Sequence, residues 1–525
     1  MQRSLHKKVG IASLIMMSSV FLSRLTGLLR EIFIASAGGA GGDVDAYQLA
    51  FLLPEILNHV VATGFLSITF IPIFNQYLVR DMEEEGWRTF SLILTVFTLI
   101  LAILIAMACV WANPLVGLVA PGIHDPSINA LAVRMTRIVL PAQAFFFVGG
   151  LFMAVQFTKE HFLLPALAPL IYNIGIIMGG LLLGPWIGIE GFAWGVLFGA
   201  LVGNFFVQWV GARRVGMSLK PSLNILHPDL RRYLFLSIPL MIGLTMTFST
   251  EFFFRFFGSY MPKGTVAALN YGLRVMLILV GLFGQAVGTA SYPFMSRLVA
   301  EGRIDEMNQL LNRTLRYLSL VIPLSVLFIV LRHEVIFILF QRNQFDAAAT
   351  ETTSHLLGFL LIGAFAFSAQ TLVVRGYYAM QDTLFPAIFG TLAVILSIPI
   401  YLLGIRWLGA TGVPLGVSLS SILQVTLLYA LWNRRSRNQD SRKVYRHVGK
   451  IVLLSLFLGA VLEGFKRIIL SGLDPWTFQG AVITSFALGL LFLMLLFLAG
   501  KTMRIEEIRD VLGEPMRRMK ERRSE

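Results

Sequence analysis

Charge is scarce in this chain. Of its 525 residues only 14% are Asp, Glu, Lys or Arg, while 56% are hydrophobic, and the mean hydropathy is +0.75. That balance excludes a soluble globular domain and defines a polytopic membrane protein. Cysteine is scarcer still: Cys109 stands alone in an apolar run, which excludes a disulfide framework. There is no Walker loop, so the chain does not hydrolyse ATP through that motif. No aspartate-rich pair and no Cys/His metal cluster occurs in a membrane loop. No metal or cofactor is therefore expected, and energy must come from ions, the membrane potential or a substrate gradient.

An uninterrupted N-terminal apolar stretch is also missing. Basic residues followed by an apolar run and Ala35-Ser36-Ala37 resemble a signal peptide, but Arg24, Arg30 and Glu31 interrupt the run. A signal peptide core carries 7–15 apolar residues without charge, so the segment reads as a retained first helix.

What the chain has in quantity is apolar runs of about 20 residues, the length that crosses a ~30 Å hydrocarbon core. They fall near 11–37, 43–79, 89–112, 130–156, 163–184, 188–212, 230–257, 265–297, 313–331, 349–378, 384–405, 409–433, 449–470 and 476–500, fourteen in all. The formal net charge of +14 is no nucleic-acid signature, because its placement accounts for it. The N-terminus, Lys159, the segments 80–88, 213–232, 297–316 and 434–450, and the tail from Lys501 hold 30 of the 43 Lys and Arg. Lys263, Arg332, Arg342 and Arg406 are the four in outer loops. The positive-inside rule then places both termini in the cytoplasm.

An internal repeat runs at an offset of 221 residues. Pro72 matches Pro293, and Leu163-Leu164-Pro165-Ala166 matches Leu384-Phe385-Pro386-Ala387. Trp186, Gly188, Gly191, Gly195 and Val196 match Trp407, Gly409, Gly412, Gly416 and Val417. The expected architecture is all-α, with 14 transmembrane helices. Two six-helix lobes in parallel repeat cover 1–221 and 222–445, two extra helices cover 446–500, and a cytoplasmic tail covers 501–525. Six is an even number, so both repeats insert the same way, and substrate sites in such transporters lie between the repeats near the midplane. In the tail, Ile505, Ile508, Leu512, Met516 and Met519 recur at helical intervals, interrupted at Pro515. This reads as an interfacial amphipathic helix or as a solvated basic tail.

Stretch 20–65 holds the densest ionisable set within apolar sequence: Arg24, Arg30, Glu31 and Asp45. A charge in a bilayer costs about 2.5–3.5 kcal/mol on insertion scales, so such groups face a cavity or a partner. Arg24 and Glu31 share a helix face. Gly27 between them permits a bend. The second half supplies Glu251 and Arg255, four apart and able to pair, and Arg274. If the lobes face each other, Arg24, Arg30, Arg255 and Arg274 converge on one cavity. Arginine suits a diphosphate, because its planar fork donates two hydrogen bonds to phosphate oxygens. The plainer reading is that these arginines snorkel to headgroups or pair with Glu31, Asp45 and Glu251. Asp45 reads either as a helix cap or as a salt-bridge partner at an outer gate. Asn58 and His59 are weaker cavity-lining candidates. Arg134, Arg137, Glu463, Lys466 and Arg467 read as snorkelling residues, with Glu463 and Arg467 able to neutralise each other.

Ser23-Arg24-Leu25-Thr26-Gly27-Leu28-Leu29-Arg30-Glu31, then Asp45-Ala46-Tyr47 and Phe65 with Phe70-Ile71-Pro72, resembles the start of the MurJ (MviN) lipid II flippases. Gly376-Tyr377-Tyr378-Ala379-Met380-Gln381-Asp382-Thr383 resembles the motif after that family's tenth helix, one shared across the MOP exporter superfamily. The resemblance covers essentially the whole chain. It implies a non-enzymatic flippase that moves undecaprenyl-diphosphate-linked peptidoglycan precursor, lipid II, from the cytoplasmic to the periplasmic leaflet of a bacterial inner membrane. Alternating access, a monomer among membrane lipids, and no nucleic-acid partner go with it. It further implies that Arg24, Arg30 and Arg274 line the cavity, that Asp45 is the family's helix 2 aspartate, and that helices 13 and 14 form a groove for the lipid tail. Asn58-His59 stands where many members carry an arginine pair, which makes Arg255 a substitute. Acids that hold an ion in some members' seventh helix have no counterpart. The alternatives are a MOP exporter for another polyprenyl-diphosphate-linked oligosaccharide or for drugs, and a polyprenyl-phosphate transferase. A drug exporter would favour an acidic cavity. The transferase would need paired acids for a metal, and Glu83-Glu84-Glu85 reads more simply as a solvated turn.

Overall fold

The computed structural model describes residues 2–61, 69–224, 226–469, 471–503 and 505–510. Every regular element among them is helical. Nine helical stretches among the described residues are long and apolar enough to cross a bilayer, ten when Ala347–Ile362 and Ala364–Ala379, bent by 42°, count as one. Among the described residues each expected run is mostly helical, but the count of fourteen spans is not reproduced. They differ from the expectation in continuity. Runs ten and eleven to twelve illustrate both directions: the tenth breaks at Gly363, while 384–405 and 409–433 lie in one 52-residue stretch, Leu384–Arg435, that turns at Gly409. The second run is not one helix but Gly42–Leu49, Leu52–Val61 and Ile71–Val79. Pro54 accounts for the first break, since it has no N–H to offer the carbonyl of Ala50. The first helix, Gln2–Gly38, runs on through Gly27 without interruption.

The chain divides into two compact units, Met1–Ala267 with Arg342–Phe345, and Ala268–Gln341 with Asp346–Glu525. This division by contact differs from the 221/222 boundary of the sequence repeat, because helix Pro228–Gly258 packs on Leu52–Val61 and Glu83–Val110 of the first unit. The core of that unit is aromatic, with Phe70, Phe74, Trp87, Phe90, Phe147 and Phe152 fully or almost fully buried. The helix hairpin Leu163–Ile187 and Glu190–Gly199 packs backbone against backbone. A Cβ on Gly179 would lie 2.4 Å from the Cα of Gly195.

The 221-residue period is written into the backbone. Among the described residues, eight of the eleven left-handed ones pair at that offset: Asp81 with Gly302, Glu160 with Gln381, Gly188 with Gly409, and Gly216 with Arg437. Gly188 (φ 60°, ψ −139°) and Gly409 (φ 57°, ψ −132°) have the same conformation, one that is open essentially only to glycine. They end helices Leu163–Ile187 and Leu384–Leu408, both of 25 residues.

In the second unit, leucines of Ser441–Ile468 and Phe478–Thr502 pack against Leu327, Val330 and Leu331. Ile505 and Ile508 join that core rather than facing lipid. Glu507 beside them is buried and meets Arg316 at 3.3 Å, and Tyr317 donates to Asp510 at 2.5 Å. The other tail positions named above, Leu512, Pro515, Met516 and Met519, lie outside the described residues.

Lys466 does not snorkel. Its ammonium meets the buried Glu334 carboxylate at 2.7 Å and donates to the Val330 carbonyl at 2.9 Å. A carboxylate out of water needs a cation, and that demand outweighs the headgroup region's attraction. Glu463 and Arg467 pair at 2.7 Å as expected. Replacing Lys466 by Met leaves Glu334 uncompensated. A loss of about 2 kcal/mol is expected, less than for a fully buried pair, because Lys466 is itself 24% exposed. The double change K466M/E334Q should recover most of it. Thermal unfolding in detergent checks this, and equal melting of single and double variants would refute it.

Candidate functional site

Helix Gln2–Gly38 presents Arg24, Arg30 and Glu31. Arg24 is exposed, whereas Glu31 is only 2% exposed. Glu31 pairs with its neighbour: Arg30 Nη2 donates to Glu31 Oε1 at 2.6 Å. A long guanidinium side chain can bend back over one peptide, and burial of the carboxylate makes that ion pair favourable. Arg30 Nη1 donates to Asn173 Oδ1 at 3.1 Å. Asn173 in turn donates to the Ser23 carbonyl at 3.2 Å and to Thr26 Oγ1 at 3.3 Å. Arg30 Nε is buried and makes no hydrogen bond among the described residues. The guanidinium is thus fixed on two sides with donor capacity left over.

Arg255 is also in the first unit and is 2% exposed. It meets Glu251, four residues back on its own helix, at 3.7 Å, as the spacing predicts. Its closer partner is Glu55 on Leu52–Val61. Sequence reasoning passed over both Glu55 and Asn173. The signal was there: each is a polar side chain within an apolar run. His59 lies one turn beyond Glu55, its Nδ1 2.8 Å from the Glu55 carbonyl oxygen. Asn58 is half-buried. Arg274 belongs to the second unit, half-buried on Thr265–Leu279 just before the π-helical turn Val280–Gln285.

Asp45 is buried and takes a place that spacing along its own helix does not reveal. Its Oδ2 accepts from the Gly264 amide at 2.5 Å and its Oδ1 from the Ala267 amide at 2.7 Å. It therefore caps the start of Thr265–Leu279, where unpaired N–H groups and the helix dipole favour an anion. Its own helix begins after Gly41 with no side-chain cap. Gly264 has φ +87°, and a Cβ there would lie 1.9 Å from the Ala40 carbonyl oxygen. Beside it Lys263 meets Asp125 at 2.5 Å. Lys263 and then Ser127 hold the Asp125 carboxyl well below the usual carboxylate range. The expected snorkelling pair, Arg134 and Arg137, instead reaches Glu190 at 3.3 Å and the Cys109 carbonyl at 3.0 Å.

The second unit holds an apolar cavity of about 480 Å³, lined among others by Leu315, Val326, Phe365, Tyr429, Tyr445 and Leu456. It uses helix Ser441–Ile468, the thirteenth expected span, together with Ile304–Leu318, Val321–Val330, Ala347–Ile362, Ala364–Ala379 and Gly412–Arg435. No residue of Phe478–Thr502 is among those lining it.

Long apolar helices with guanidinium groups held by carboxylates inside them define a multi-pass helical membrane protein. The fold agrees with that class. An inward-facing multidrug resistance MATE family transporter of the MOP superfamily superposes with TM-score 0.65 at 13% identity, covering 80% of this chain and 96% of that one. A lipid II flippase MurJ in an inward closed conformation superposes with TM-score 0.73 at 23% identity, covering 91% and 98%. The family model for lipid II flippase MurJ matches residues 34–479, and the chain belongs to that family. Among its relatives, lipid II flippase MurJ of Burkholderia cenocepacia is 28% identical over 450 residues, 84% of this chain and 87% of that one. The probable lipid II flippase MurJ of Thermotoga maritima is 27% identical over 514 residues, 94% and 96%.

Proposed function

We propose that this protein carries lipid II from the cytoplasmic to the periplasmic leaflet of a bacterial inner membrane by alternating access. The observation that carries the reading is Arg30: a guanidinium inside a membrane helix, neutralised by Glu31, oriented by Asn173 and still holding a free donor. Such a group binds a phosphate oxygen without first paying full desolvation of a lone charge. In the proposed cycle the diphosphate enters from the cytoplasm and meets Arg24, Arg30, Arg274 and Arg255. The polyprenyl tail stays in lipid beside the thirteenth and fourteenth helices, and the apolar cavity on Ser441–Ile468 offers it a bed. Charge neutralisation favours closure on the cytoplasmic side, a population shift driven by differential binding. The outward state releases the headgroup. Both termini lie in the cytoplasm, the working form is a monomer, and an ion gradient or the membrane potential supplies the energy, with no covalent step.

Arg24→Ala and Arg274→Ala are each expected to abolish complementation of flippase depletion while leaving membrane levels normal, and full growth of both variants would remove them from the site. Purified protein in vesicles with labelled lipid II should expose the headgroup at the far leaflet. Competition by other lipid-linked sugars in the same assay tests the choice of glycolipid, and absence of transport would overturn the reading.

A further inference from the structure

Segment 505–510 has two sides of different chemistry. Ile505 and Ile508 sit in the core that leucines of Ser441–Ile468 and Phe478–Thr502 build. Its acids reach the other way. The Glu507 side chain is 4% exposed and stands 3.3 Å from Arg316 and 3.7 Å from His447 Nδ1. Asp510 accepts from Tyr317 at 2.5 Å. One buried carboxylate thus joins two helices, Ile304–Leu318 through Arg316 and Ser441–Ile468 through His447. Both helices are walls of the apolar cavity of about 480 Å³. Leu315 of its lining precedes Arg316, and His447 lies between Tyr445 and Val448 of the same lining. Leu315 and Val444 are the lining residues nearest the start of their spans, Ile304–Val330 and Ser441–Ile468, so Glu507 bridges one end of the cavity. Tyr429 covers that end from a third side, its ring 5.5 Å from Tyr445 and its hydroxyl donating to Asn312 at 2.7 Å. Among the described residues no charged side chain lines the cavity, which suits a hydrocarbon chain and not a headgroup.

We propose that segment 505–510 is a clasp: it holds two walls of the cavity together at this end, and its release lets a polyprenyl chain enter. The inference rests on the lipid-tail reading given above. The two sides of the clasp differ in how readily they let go. Withdrawing Ile505 and Ile508 would expose apolar surface, at a cost that grows with the area. The acid side only exchanges a partner for water, and Arg316 is already 32% exposed, so its ion pair with Glu507 is the weaker bond. The segment therefore stays on Ser441–Ile468 and Phe478–Thr502 and parts from Arg316 and Tyr317. Glu507 keeps His447 as its neighbour when it does so. The space between Leu315 and Val444 then widens, and the apolar interior opens to the chain.

The test follows a thiol on the cavity wall. Ser325 lines the cavity, is 4% exposed and donates to the Val321 carbonyl of its own helix, so Ser325→Cys is a mild change. The full chain carrying it is treated with N-ethylmaleimide in nanodiscs. Mass spectrometry compares labelling at residue 325 with labelling at the native Cys109 of the other unit. Labelling of a buried thiol follows the population of open molecules. Glu507→Gln keeps the volume but removes the charge that holds Arg316. It should raise labelling at residue 325 about tenfold, the worth of one charge-assisted hydrogen bond, and leave Cys109 unchanged. Tyr317→Phe removes the second tie alone and should give about a two- to threefold rise, which keeps the test available if E507Q does not fold. Undecaprenyl phosphate should suppress the rise in both variants. Unchanged labelling at residue 325 in whichever variant folds, or an equal rise at Cys109, overturns the clasp and leaves Glu507 a brace of the fold. A rise at residue 325 that undecaprenyl phosphate does not reduce upholds the clasp and counts instead against the lipid-tail reading.

Discussion

Arg30→Ala is expected to abolish transport and also to destabilise the protein by about 3–5 kcal/mol, the cost of breaking a buried ion pair by removing one partner. Both consequences follow from one geometry. Glu31 is 2% exposed and takes its short hydrogen bond from Arg30, so deletion of the guanidinium removes a charge-assisted hydrogen bond from a buried carboxylate. It also strips Asn173 Oδ1 of its donor. The two effects separate in the double variant. R30A/E31Q also removes the buried negative charge and should recover most of the melting temperature, yet transport should stay absent, because the phosphate-binding group is still missing. Thermal unfolding in detergent and lipid II translocation in vesicles give the two readouts. A double variant that transports would show that Arg30 serves the fold alone.

Gly264→Ala is expected to prevent accumulation of folded protein. At φ +87° a side chain is strained, and the added Cβ would lie 1.9 Å from the carbonyl oxygen of Ala40. Strain of ~1–3 kcal/mol from the backbone adds to a similar overpacking cost, and together these approach the whole stability of a marginal fold. Asp45→Asn acts on the same junction more gently. Its amide can accept from one of the two backbone N–H groups that Asp45 now satisfies, but its NH2 faces the other, donor to donor. About 2–3 kcal/mol is expected. Fluorescence-detected size exclusion measures yield, and thermal unfolding measures the second variant. Wild-type yield of G264A would mean that the close approach to Ala40 is not maintained.

Much of the architecture was legible from composition because lipid imposes a simple rule: backbone polar groups must be satisfied within each segment, so apolar runs of sufficient length become helices. The 221-residue repeat was legible because turns such as Gly188 and Gly409 need glycine at a left-handed position, and that need leaves a mark in sequence. Partner choice was less legible. Helical spacing anticipated Glu251 with Arg255 and Glu463 with Arg467, both four apart on one helix. It set Glu31 on one face with Arg24 and did not single out Arg30, whose Nη2 donates to Glu31 Oε1. It sent Lys466 to the headgroups, whereas Glu334, 132 residues earlier, draws it inward.

From its sequence alone this chain was bound to be a helical membrane protein with arginines too deep in apolar runs to be incidental, since period and charge along one segment are local properties. The tertiary structure alone decided which carboxylate answers which guanidinium, that Asn173 steadies Arg30, that Glu55 reaches Arg255, and that Asp45 caps a helix more than 200 residues away. Those choices depend on which helices touch and on how much water is left between them, and both are set by packing across the whole fold.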